Sequence, residues 1–257
     1  MTDNSLNVLI TRPAGKAQAL ALLLKQQGIF AISQPLFDYQ AYASSQDIKG
    51  SINSADILIF VSVAAVEFAH ASYPLSINSD KIVIAVGQAT KRALQTIGIT
   101  NVLTSTQENS EGLLKLDQLC QVKDKNITIV RGNGGREHLA TTLTERGAQV
   151  CYIESYQRVW RTLTKNIAKQ WQEQQINCIV VTSNDILLTL VNLVIHTEKT
   201  NTDINNKLND NNYWQNDCCW LVASQRIADS AKALGLTQVI NINGANDQVI
   251  IEQLQKL

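Results

Sequence analysis

The amino-acid sequence predicts an α/β protein of two similar parallel-sheet domains, and three observations carry that prediction. Short runs rich in Val and Ile alternate with longer stretches of helical period, which is the pattern of βαβ units. Glycines follow the helical stretches, as suits a left-handed C-terminal cap. The same markers then recur along the chain at nearly constant offsets, as a duplicated module would.

The elements follow in order. Residues 8–10 read as a strand and 18–27 as an amphipathic helix stopped by Gly28. Residues 57–61 form a second strand leading into a helix over 64–71. A third strand, 82–86, leads into the helix 89–97, stopped by Gly98. Residues 127–130 precede the helix 137–146, stopped by Gly147, and 178–181 and 220–223 repeat the scheme.

Arg12 and Gly28 recur as Arg131 and Gly147, each 119 positions on (131 − 12 and 147 − 28). Ser62 recurs as Ser183 at 121 positions (183 − 62). Gly87, Gly98 and Val102 recur as Ser224, Gly235 and Val239 at 137 (235 − 98). The jump of 16 (137 − 121) coincides with residues 197–217, dense in Asn, Asp and Thr. That tract reads as a mobile surface insertion. Strand, turn, helix and Gly recur in any βα protein, but three ordered pairings and one explained shift favour duplication.

Composition narrows the function. Lys plus Arg and Asp plus Glu number 22 each, so no global field draws nucleic acid or an anionic membrane. The longest apolar run, 57–66, is too short for a membrane helix, and the acidic N-terminus lacks the basic region of a secretory signal. A cytoplasmic protein is expected. Five cysteines without C-x-x-C spacing fit reduced thiols. Three histidines without a metal-binding spacing predict no metal centre.

Ligands of open parallel sheets bind beyond the carboxyl ends of the strands. Those ends carry Thr11-Arg12-Pro13, Ser62, Gly87-Gln88-Ala89-Thr90, Arg131-Gly132-Asn133-Gly134-Gly135, Thr182-Ser183-Asn184 and Ser224-Gln225-Arg226. Helix capping alone accounts for Ser62, Ser183 and Ser224; six such loops, two with Arg directly after the strand, point to an anion-binding cleft. The glycine run 132–135 lacks the order of a phosphate-binding loop and serves equally well as a tight turn. Glu154-Ser155-Tyr156-Gln157-Arg158 leads out of one module, and its counterpart at the 119 offset is 35–39. Paired, the two segments would make a two-stranded bridge with Tyr156 near the cleft, either as a packing ring or as a catalyst.

These residues also resemble uroporphyrinogen-III synthases. The resemblance runs in order through Val8-Leu9-Ile10-Thr11-Arg12-Pro13, Phe60-Val61-Ser62, Ala85-Val86-Gly87-Gln88-Ala89-Thr90, Ser110-Glu111-Gly112-Leu113 and Arg131-Gly132-Asn133-Gly134-Gly135-Arg136-Glu137. It continues through Glu154-Ser155-Tyr156, Val181-Thr182-Ser183-Asn184 and Ser224-Gln225-Arg226-Ile227-Ala228. Val63-Ala64, where the family more often has a polar residue and Asn, and the insert at 197–217 depart from it.

The resemblance implies domains of 1–37 plus 158–257 and of 38–157, facing each other across a cleft, with Tyr39 and Arg158 near the crossings. It implies cyclisation of hydroxymethylbilane, a linear tetrapyrrole with eight carboxylates, with loss of water and inversion of the last ring. Tyr156 would be the general acid. Arg12, Ser62, Thr90, Arg131, Ser183, Ser224 and Arg226 would hold carboxylates. No cofactor is required, and a monomer is expected. A two-lobed cytoplasmic binding or sensor module is the rival reading.

Overall fold

The computed structural model describes residues 5–42, 47–135, 137–196 and 213–257. They form two compact units, Met1–Asp38 with Trp160–Leu257 (unit 1) and Tyr39–Val159 (unit 2). Unit 1 begins with β1 (Asn7–Ile10), α1 (Ala14–Gln26) and β2 (Phe30–Ser33), and the chain leaves it within β3 (Phe37–Ala41). Unit 2 continues with α2 (Ile48–Ser54), β4 (Ile57–Phe60), α3 (Val63–Ser72), β5 (Ile82–Ala85), α4 (Gln88–Thr96) and β6 (Val102–Leu103). Then come α5 (Ser110–Leu113), α6 (Asp117–Cys120), β7 (Asn126–Gly132) and α7 (His138–Glu145). The long β8 (Gln149–Trp160) carries the chain back. Unit 1 closes with α8 (Ile167–Glu173), β9 (Cys178–Val181), α9 (Asn184–Val191), β10 (Cys219–Val222), α10 (Gln225–Ala233), β11 (Val239–Asn241) and α11 (Asp247–Leu254).

One sheet has the order β11-β10-β9-β1-β2, the other β3-β8-β7-β4-β5-β6. The ladders of β1, β2, β9, β10 and β11, and those joining β4 to β8, are parallel. β3 runs against β8, with Tyr42 N–H donating to Ser155 O and Arg161 N–H to Leu36 O.

Burial on both faces explains the unbroken apolar runs. In β4, Leu58 and Phe60 enter one core with Ala65, Leu94 and Tyr156. Ile57 and Ile59, turned the other way by the pleat, enter a second core with Leu113, Leu139 and Leu143. Val8, Ile10, Cys178, Val180 and Leu221 do the same in unit 1. The helices beside these strands end on left-handed glycines, with φ of 77° at Gly28 and 88° at Gly147, a conformation that costs a residue with a Cβ.

Two boundaries differ from the sequence reading. α1 starts at Ala14, four residues before 18, directly after Pro13, whose φ of −50° and ψ of 145° give the extended conformation of a residue that opens a helix. The exposed Gly15 and Lys16 hid the helical period there. The insertion read at 197–217 falls outside the described residues over 197–212, but its last five residues correct that reading. Tyr213–Asp217 is a π-helical turn with Trp214 only 1% exposed. Trp214 meets the edge of Trp171 at 6.4 Å, and its carbonyl accepts from Trp220 Nε1 at 2.7 Å. The polar composition upstream masked an anchor of the core. Trp214→Ala is expected to destabilise the protein by about 3–5 kcal/mol, as emptying a large buried site does. Urea unfolding measures this, and a loss below about 1 kcal/mol would return Trp214 to the surface.

Candidate active site

Tyr156 stands on β8 opposite Gly132 of β7, just past a register shift between Arg131 and Gly132. Its ring lies against Gly132, where an added Cβ would come within 2.6 Å of Cζ. Tyr39 meets the ring edge-on at 4.8 Å, Phe68 packs at 5.8 Å, and the side chain is 7% exposed. The hydroxyl lies 3.2 Å from Ser62 Oγ. Ser62 is the extended N-cap of α3 and accepts from Ala65 N–H at 3.0 Å. With that amide on its oxygen, Ser62 can donate its own hydrogen to the phenol oxygen. The phenol proton is then left for an acceptor outside the pair. Two residues 94 positions apart thus meet at the carboxyl edge of unit 2's sheet.

Tyr39 extends the arrangement. Arg158 hydrogen-bonds its hydroxyl, while burial and the neighbouring Tyr156 hold the Tyr39 phenol above its usual range. Sequence reasoning put Tyr39 and Arg158 near the crossings but did not see that they touch.

Three of the strand-end loops already carry carboxylates of the chain itself. Arg12, 6% exposed, is ion-paired with Asp247 of α11. Arg131, 7% exposed, reaches Glu137 at 3.0 Å and Glu154 at 3.6 Å, and lies 4.1 Å over the Tyr152 ring. Glu154 also accepts from Asn133 Nδ2 and Gly134 N–H, so the glycine-rich loop wraps an internal anion. At α4, Glu108 accepts from Gln88 N–H at 2.8 Å and lies on Gly87, with Thr90 buried behind it. Sequence reasoning missed Asp247, Glu108, Glu137 and Glu154 as partners. Acidic residues are common on any surface, and only the fold brings these four to the loops.

The other strand ends are differently occupied. Ser183 caps α9, accepting from Ile186 N–H at 3.3 Å. Ser224 is the extended N-cap of α10 with no side-chain cap bond. Arg226, one residue inside α10, is exposed and makes no ion pair among the described residues. A depression of about 490 Å³ bordered by Asn7, Gly28 and Gln174 holds none of these residues.

Glu137 also accepts from Tyr152 Oη, which, with Arg131, keeps its carboxyl below the usual range. Burial, then that bond, pushes the Tyr152 phenol up to about 12. Burial does the same at Tyr213. Since each folded-state value is raised, the folded protein keeps these protons while the unfolded chain releases them above about 10. Their contribution is present below pH 10 and lost as pH rises toward 12. The urea midpoint is expected to fall across that window, and Tyr152→Phe to flatten part of the fall. An unchanged slope in the variant would remove Tyr152 from the account.

The described residues contain no group of three or more His, Cys, Asp or Glu arranged for a metal, and no helix long and apolar enough to cross a membrane. The two units define an α/β protein built on parallel sheets, in each of which βα loops gather at the carboxyl edge. A sequence model of the uroporphyrinogen-III synthase HemD family matches residues 18–243. The chain is 31% identical to the uroporphyrinogen-III synthase of Salmonella typhimurium over 258 aligned positions, covering 97% of this chain and 100% of that one. It is 30% identical to that of Escherichia coli over the same shares. The uroporphyrinogen III synthase of Thermus thermophilus shares the fold at a TM-score of 0.64, with 11% identity over 98% of this chain and 99% of that one. The chain belongs to the uroporphyrinogen-III synthase family.

Proposed function

We propose that the chain closes hydroxymethylbilane to uroporphyrinogen III, with Tyr156 as the proton donor to the departing hydroxyl. The observation that carries this reading is the Tyr156–Ser62 contact at a strand end. Ser62, held by Ala65 N–H, fixes the phenol oxygen and leaves its proton for the substrate. Water then leaves, the resulting azafulvene is attacked through the substituted carbon of the last ring, and the spiro intermediate fragments and recloses with that ring inverted. Uninverted closure occurs without help, so the protein has to control geometry. A hundredfold preference for inversion needs roughly 2.7 kcal/mol of differential transition-state stabilisation.

For the carboxylates, the internal ion pairs change the emphasis. Arg12 and Arg131 shape their loops by holding Asp247, Glu137 and Glu154, and Thr90 supports α4 from a buried position. Ser183, Ser224 and Arg226 are left as the contacts proposed for substrate. Ala at Ser183 or Ser224 is expected to raise KM about fivefold, the loss of one solvent-accessible hydrogen bond of about 1 kcal/mol. Steady-state kinetics checks this; loss of all turnover in a folded Ser variant would make that serine a catalyst.

The test of the function is purified protein with freshly prepared hydroxymethylbilane, followed by separation of the porphyrin isomers after oxidation. Isomer III should dominate and persist after dialysis against a chelator. Isomer I alone, formed at the rate seen in buffer, would overturn the reading. Saturable binding without turnover would favour the rival binding module.

A further inference from the structure

Three of the five cysteines gather in unit 1, at the strand ends away from Ser183 and Ser224. Cys178 opens β9, Cys219 opens β10, and the parallel register sets them directly opposite each other. Neighbouring strands lie about 4.8 Å apart, inside the window of about 4.4–6.8 Å between Cα atoms that a disulfide spans. Both side chains share one packed face with Val8, Leu20 and Leu221. Cys178 is wholly buried and Cys219 half-buried. Cys218 is buried, with its Sγ 3.8 Å from the Cys219 carbonyl oxygen. Cys120 and Cys151 are exposed and belong to unit 2.

We propose that Cys219 and Cys178 form a reversible redox pair, in which Cys219 meets a hydroperoxide and Cys178 resolves the product to a disulfide. Exposure and charge set the roles. Only Cys219 of the pair is open to solvent, and the neighbouring Cys178 thiol holds the Cys219 thiol below its usual range. The adjacent Cys219, together with burial, holds the Cys178 thiol well above its usual range. A reactive thiolate next to a resolving cysteine is the arrangement that redox-sensing cysteines use.

The Cys219 thiolate attacks the O–O bond, forming S–O and releasing an alkoxide (hydroxide from hydrogen peroxide) that takes up a proton. Cys178 sulfur then attacks the sulfenic sulfur, the S–S bond forms, and the S–O bond breaks. Hydroxide leaves with the Cys178 proton as water. Two thiols lose two electrons, the peroxide gains them, and a dithiol reductant reverses the change.

The test uses the full chain carrying Cys120→Ser and Cys151→Ser, with hydrogen peroxide as the probe. Peptide mapping by mass should show one crosslink joining Cys178 to Cys219, removed by dithiothreitol. It should persist with Cys218→Ser and vanish with Cys219→Ser. With Cys178→Ser, dimedone should trap a sulfenic acid on Cys219. Should that variant fail to fold, the crosslink map of the parent protein decides alone. Oxidation of Cys219 past the sulfenic stage without a crosslink, or a crosslink through Cys218, would overturn the proposal.

Discussion

Tyr156→Phe is expected to yield folded protein whose formation of the inverted isomer falls at least tenfold, leaving spontaneous closure to dominate. The phenyl ring keeps its place against Gly132, Tyr39 and Phe68. Stability should therefore drop only by the lost bond to Ser62, about 1 kcal/mol. Positioned proton transfer is worth about 100- to 10,000-fold in rate, or roughly 2.7–5.5 kcal/mol at the transition state. The two losses differ in size, so the urea midpoint and the isomer ratio measured on one preparation separate them. Wild-type turnover in a variant of normal stability would make Tyr156 a packing residue.

Much of this fold was legible because the central strands are buried on both faces. Residues 178–181 read as a strand and are one, since Cys178, Ile179, Val180 and Val181 are all fully covered. The edge strands gave no such signal. β6 has two residues, β11 three, and β2 starts on an exposed Phe30. Helix ends were marked by Gly28, Gly98, Gly147 and Gly235, each at positive φ. Composition misled at Tyr213–Asp217, where Asn and Asp surround a Trp that decides the packing.

The site was half legible. Its loops were found because small polar residues at strand ends stand out against apolar runs. Its wiring was not, because it depends on strand order. Ser62 and Tyr156 meet only because β4, β7 and β8 are successive neighbours in the sheet. The arginines repeated at the 119 offset were read as holders of substrate carboxylates, and the fold sets each beside carboxylates of the chain itself, Arg12 at Asp247 and Arg131 at Glu137 and Glu154. The repeat therefore carries a local structural device: in each unit an arginine follows a central strand and is neutralised by the chain's own carboxylates. No sequence signal distinguishes such an arginine from one awaiting a ligand, since both sit after a strand in a polar loop.

Gly132→Ala is expected to reduce inverted-isomer formation about as severely as removing the phenol hydroxyl, although Gly132 has no side chain of its own to act on a substrate. The added methyl would lie 2.6 Å from Cζ and 2.7 Å from Cε2 of Tyr156, well inside contact distance. The ring cannot simply yield, because Tyr39 and Phe68 pack against it. Gly132 is itself fixed in the ladder opposite Tyr156, and the next residue's N–H donates to the Tyr156 carbonyl at 2.6 Å. Overpacking of this kind costs about 1–3 kcal/mol of stability, and a displacement of about 1 Å in a catalytic group can cost on the order of a hundredfold in rate. The hydroxyl would leave its 3.2 Å contact with Ser62, so the proton would no longer be held toward the substrate. In the double variant Gly132→Ala with Tyr156→Phe, the second substitution should add almost nothing to the loss of activity, since the first already misplaces the group that the second deletes. Fully additive losses would show that Gly132 acts through something other than Tyr156, and an active, stable Gly132→Ala protein would show that the ring has room the packing denies.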